Sequence, residues 1–145
     1  MVNDGFRLKT RVRIFNISQG NRLEWEGENL ITDAGLTQYA DRLINDSVPF
    51  IDYLGVGDGV GTHAVIDTIL FNEIFRNQMT AKSSPLNVAE FTATILGNEA
   101  LGAWTELGMF NDANVGSMTN VIDTSYTHIV DDELQIIWEV TLERQ

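Results

Sequence analysis

The sequence predicts a mainly β domain, an antiparallel β-sandwich of jelly-roll-like character with one amphipathic helix near residues 33–45. Three observations carry this. Val, Ile and Thr together number 37 of 145 residues, and these side chains suit the pleated, half-buried surface of a sheet. Glycine and asparagine recur at short intervals, as turns require. Segments of period two follow one another at the spacing of a sandwich, and one segment changes to the period of a helix.

Along residues 6–14, Phe6, Leu8, Val12 and Ile14 fall on one face, and Arg7, Lys9, Arg11 and Arg13 on the other. That is a strand with one buried face. The turn Ser18–Asn21 leads into a second alternating segment, with Leu23 and Trp25 set against Glu24, Glu26 and Glu28. The pair predicts an antiparallel hairpin whose opposite charges meet across the strands. Over 32–45, Leu36, Tyr39, Ala40, Leu43 and Ile44 form one helical stripe, which predicts a helix packed on a sheet. Thr32 or Asp33 serves as its N-cap, and Asn45, Asp46, Ser47 and Pro49 end it.

Residues 50–57 predict a short strand, followed by the glycine-rich stretch Gly55–His63, read as a flexible turn between strands. Residues 64–76 predict a helical turn or irregular segment, and 77–82 the start of another strand. Strands follow around 91–95 and 104–110, one or two more within 117–130, and a last one from Leu134 to Leu142. That last segment has the clearest alternation in the chain. No repeat, low-complexity tract or linker divides residues 1–145, so a single domain is expected, with 1–20 as a basic N-terminal strand or arm available for docking.

Composition narrows the function classes. There are 21 acidic and 9 basic side chains and no Cys, giving a net charge of −12. A surface of that sign repels phosphate, so nucleic acid is not the expected partner. Lack of Cys removes disulfide scaffolds, thiolate zinc sites and cysteine nucleophiles. No apolar run approaches the ~18 residues of a membrane helix, and the first ten residues lack the order of a signal peptide.

The candidate chemistry is thin. The glycine stretch has Val60 where a dinucleotide fingerprint needs glycine, and no Gly-Lys-Ser/Thr follows. Asp58, Asp67 and Glu73 supply oxygen ligands but no EF-hand spacing, so no metal is expected. His63 and His128 are the only histidines, and neither lies in a nucleophile motif. With 21 acids, chance pairs of carboxylates carry no weight. No catalytic residue and no cofactor is therefore expected. Trp25 and Trp104 are candidates for a surface that recognises sugars, set against core packing. Arg7, Lys9, Arg11 and Arg13 hold four of the nine basic residues. They form either a solvated face paired with Glu24, Glu26 and Glu28, or a docking strand for an acidic neighbour.

A set of motifs runs in order along the chain: Asn29–Leu36; Gly55, Gly57, Asp58 and Gly59; Asp67 and Thr68 with Leu70, Glu73 and Arg76; Phe91–Thr94; Glu99–Gly102; Trp104–Phe110; and Leu134 with Trp138–Thr141. In this order the set resembles a widespread family of small structural proteins of tailed bacteriophages, described as tail-fibre or tail-associated virion proteins. The resemblance covers about residues 23–142. It implies a non-enzymatic virion protein, made in the host cytoplasm, and carries over no catalytic residues. The basic strand lies outside the matched part, which points to a compact module that attaches to something. A tail-fibre or baseplate adaptor comes first, a capsid decoration (cement) protein on the major capsid protein second, and a host-glycan-binding module third. A homo-oligomer is expected, a trimer by analogy with the family.

Overall fold

In the computed structural model, which describes residues 5–144, the alternating segments become strands and the stripe at 32–45 becomes a helix. The elements are β1 (Phe6–Asn16), β2 (Arg22–Gly27), β3 (Leu30–Ile31), α1 (Asp33–Arg42), β4 (Tyr53–Gly57), β5 (Glu73–Gln78), β6 (Ala81–Ser83), β7 (Val88–Ile95), β8 (Gly102–Phe110), β9 (Met118–His128) and β10 (Leu134–Arg144). They form two antiparallel five-stranded sheets, ordered β2-β1-β10-β7-β6 and β3-β9-β8-β4-β5. The mainly β, antiparallel sandwich expected from the sequence is the observed architecture.

β1 and β2 form the predicted hairpin, with a bulge between Ile14 and Phe15. Its turn is closed by Asn16, whose Oδ1 accepts from the Gln19 amide (3.2 Å), and by Gly20 at φ 75°. A positive φ of this kind costs glycine nothing. β10 lies between β1 and β7 and pairs with β1 from Phe6↔Arg144 to Asn16↔Leu134. The alternation read in β1 and β10 becomes burial: Val12, Ile14, Leu134, Ile136 and Trp138 are sealed between the sheets. Leu54, Val56, Leu107 and Met109 face them from the second sheet within the same cluster. Burial of such side chains stabilises the domain by roughly 1.5–3 kcal/mol each.

The helix departs from expectation in two ways. It ends at Arg42 rather than 45, with Leu43 as its C-cap, and of its apolar stripe only Tyr39 packs on the core. Leu36, Leu43 and Ile44 are exposed, the last two at 86% and 91%. The contact line runs instead through Thr32, Gly35 and Tyr39. Thr32 is the N-cap, its Oγ1 accepting from the Gly35 amide (2.9 Å) and donating to the Met118 carbonyl (2.6 Å). Gly35 lies against the Thr119 carbonyl of β9, where a Cβ would collide with backbone. Tyr39 donates to Asn120 Oδ1 (2.6 Å), and burial pushes its phenol up to about 12. With the helix drawn so close to β9, Leu36 and Leu43 are left on a shoulder facing the first sheet. Between that shoulder and the inner side of β1, β10 and β7 runs an open apolar groove.

Candidate functional site

The glycine-rich stretch is not a loose turn. β4 carries Gly55 and Gly57 as strand residues, and the chain beyond is held by one buried carboxylate. Glu106 lies on β8 beyond a bulge that follows Trp104, on the face opposite Leu107 and Met109, and its side chain is sealed from solvent. Its Oε2 accepts from the amides of Gly59 (3.0 Å) and Asn72 (2.9 Å), and its Oε1 from the amide of Phe71 (2.8 Å). A Cβ on Gly57 would overlap the same carboxylate, and a Cβ on Gly59 would meet Phe71 and the Asn72 amide. The glycines are therefore spaces that the Glu106 carboxylate and the returning backbone fill.

His63 completes the cluster. Its Nε2 lies 2.6 Å from Glu106 Oε1 and its Nδ1 2.8 Å from Asp67 Oδ2, while the ring stacks on Phe71 at 4.0 Å. Each ring nitrogen thus faces one carboxylate oxygen at hydrogen-bond distance. The His63 amide points at the Asp123 carboxylate, 3.2 Å to Oδ2. Burial is the largest influence on Glu106 and pushes its carboxyl up. The amides of Asn72, Phe71 and Gly59, together with His63, outweigh it and hold the group below its ordinary value. Asp67 is held low first by the Ala64 amide and then by His63. Chemically the trio is a clamp. Both imidazole nitrogens are engaged with carboxylates, which leaves neither for a reacting group.

What the clamp presents is largely apolar, with Thr62 and Thr68 between the apolar side chains. Val60, Val65, Ile66, Ile69 and Phe71 all stand in solvent, Ile66 at 74% and Ile69 at 68% exposure. Arg76 on β5 braces the neighbouring loop at 111–117. It forms two bonds to Glu73 (3.0 and 2.6 Å), donates to the carbonyls of Asp112 (2.9 Å) and Val115 (2.7 Å), and lies 3.6 Å over the Phe110 ring.

The residues singled out in the sequence go to different places. Asp58, Asp67 and Glu73 do not converge: Asp58 accepts from Asn72 Nδ2 (2.5 Å), Asp67 meets His63, and Glu73 meets Arg76. Among the described residues no group of three His, Asp or Glu side chains is placed to hold a metal ion. Trp104 is 1% exposed, with its indole N–H donating to the Ala100 carbonyl (2.7 Å), so it cannot offer a ring face to a sugar. The candidate surface role of Trp104 is thereby corrected to core packing, because strand alternation turns it inward. Trp25 is half-buried against the same core. His128 faces the carbonyls of Glu99 (2.8 Å) and Asp132 (2.5 Å) and ties two turns together.

The basic stripe stands on the outer face of the first sheet, flanked by acids on both neighbouring strands. Arg11 pairs with Glu26 of β2 (2.6 Å), Arg7 with Glu143 of β10 (2.9 Å), and Arg13 with Glu139 of β10. Lys9 has no ion pair among the described residues and is exposed. Expected partners Glu24 and Glu28 are not used: Glu24 instead receives Arg22, Asn16 and the Tyr126 hydroxyl (2.6 Å).

Sequence reasoning missed Glu106 and its clamp. The bulge between Trp104 and Glu106 breaks the alternation, so counting by twos from Trp104 puts the acid on a face it does not occupy. No helix of the described residues is long and apolar enough to cross a membrane. Compared with family models, curated proteins and solved structures, the chain has no match in any of the three.

Proposed function

We propose that this chain is a non-enzymatic structural component of a tailed-phage virion, a compact module that self-associates and attaches to the tail as a fibre or baseplate adaptor. One observation carries the reading. Gly57, Gly59, Asp67 and Glu106, four residues behind the resemblance, meet at a single clamped loop whose outward side chains are largely apolar. A stretch fastened by a buried carboxylate and a histidine has a fixed shape, and exposed apolar patches on such a surface mark contacts with other proteins. The chemistry is spent on holding the loop, not on a polar cleft open to a substrate. A virion presents repeated sites, which favours a symmetric oligomer, and a trimer fits the resemblance. The charge ladder of Arg7, Lys9, Arg11 and Arg13 with its flanking acids gives an attachment face a defined electrostatic register.

The test is direct. Tailed particles are purified from a lysate of the host that carries this gene, their proteins are identified by mass spectrometry, and gold-labelled antibody locates the chain. Labelling of tails is the expected result. Labelling of heads replaces the tail reading with capsid decoration, and absence from particles overturns the virion reading.

A further inference from the structure

Two surfaces on this molecule are both largely apolar and carry charges of opposite sign at their margins. The first is the loop at 60–71, which exposes Val60, Val65, Ile66, Ile69 and Phe71 beside Thr62 and Thr68 and is held by Glu106 and His63. Its flanks are acidic: Asp58 stands exposed beside Val60, and Asp123 lies under the His63 amide. The second is the groove between α1 and the first sheet. It consists of two adjoining hollows of about 330 and 420 Å³ that share Tyr39, Ala89 and Phe91. Leu36 and Leu43 form one wall, Val140 and Leu142 the other. At one end stand Arg42 and Lys82, their charges 4.0 and 5.2 Å from the Phe50 ring centre, with Lys82 also paired to Asp52 (2.6 Å).

Resting on the reading of the chain as a self-associating module, we infer that the loop at 60–71 of one copy seats in the α1 groove of the next copy. Loop and groove are different surfaces, so copies that each offer the loop to the groove of the next make a head-to-tail, heterologous contact. In a chain of net charge −12 two copies repel. This joint avoids the repulsion, since it brings an acid-flanked apolar loop to an apolar groove with a basic end. Its geometry also favours closure. The Val65 carbonyl accepts from the Asp33 amide at the start of α1 (2.8 Å), while the groove follows the helix to Leu43. The two surfaces therefore adjoin across one ten-residue helix, about 15 Å long. Adjoining faces join into a small ring, whereas opposite faces run on into a filament.

The experiment is light scattering on the full chain and two variants, Ile66→Asp in the loop and Leu43→Asp in the groove. Both side chains are exposed, so both variants keep the wild-type circular dichroism spectrum and a cooperative melt, which excludes misfolding. Wild type is expected as a closed ring and each variant alone as a monomer. Mixed in equal amounts, they form a dimer and nothing larger, because one intact groove then meets one intact loop. Arg42→Glu is expected to weaken the ring by about ten-fold at low salt, the loss fading as salt screens it. A wild-type oligomer that both variants leave intact, or a mixture that stays monomeric, overturns this joint while self-association stands. A wild-type chain that is monomeric at every concentration overturns self-association itself.

Discussion

Glu106 shows how one side chain organises a loop of this size. Truncating it leaves three amides and an imidazole facing an empty, dry space, and removing one member of a buried charged cluster costs roughly 3–5 kcal/mol. Glu106→Ala is therefore expected to lose about that much in a denaturant titration, with the midpoint shifted and the slope unchanged. The pH dependence follows from the direction of its shift. A carboxyl held low in the folded state adds stability above its unfolded value of about 4.3, and that stability is lost as pH falls through the lower folded value. Stability is thus expected to fall on the acid side of about pH 4.5, and the fall should be shallower in Glu106→Gln. Equal acid slopes in the two proteins would remove Glu106 from this role. Tyr39 gives the opposite limb. Its phenol, pushed up to about 12 by burial, adds stability below the ordinary value and loses it as pH rises toward the folded one. The alkaline loss of stability between pH 10 and 12 should be smaller in Tyr39→Phe, read by circular dichroism.

At the scale of elements, α1 is placed by what it lacks. Gly35→Ala would gain up to ~1 kcal/mol of helix propensity, but the new methyl meets the rigid Thr119 backbone. Overpacking of that kind costs about 1–3 kcal/mol and wins, so the variant is expected to melt lower. A higher melting temperature would show that α1 can lift from β9 at little cost. β1 makes a second case. Its basic stripe faces two acidic strands, and exposed pairs of that sort contribute little to stability. Replacing Arg7, Lys9 and Arg11 together with Ser, with the mostly covered Arg13–Glu139 pair left in place, is expected to leave the melting curve nearly unchanged and to lower occupancy on particles. Unchanged occupancy would remove the stripe from attachment.

At the scale of the molecule, what was legible in the sequence was local. Period two in β1 and β10 and period 3.6 in α1 name those elements, because each needs only neighbouring residues. A cap at Thr32 or Asp33 was readable for the same reason, and Thr32 is the one used. The clamp was not, since His63 and Glu106 meet only once β8 lies beside β4. Nor was it visible that Arg7 and Arg13 would find Glu143 and Glu139, because Glu24, Glu26 and Glu28 stand nearer along the chain. The helical stripe named the right segment and the wrong contact: Gly35, with no side chain to count, pulled the packing face away from Leu36 and Leu43. One placement has a further consequence during synthesis. β10 is the strand through which β1 and β7 are joined, so the first sheet cannot exist before Leu134–Arg144 has left the ribosome. Until then the β1–β2 hairpin and the β6–β7 pair each expose an unsatisfied edge, and the growing chain depends on the speed of its own completion, or on a chaperone, to avoid pairing with a neighbour.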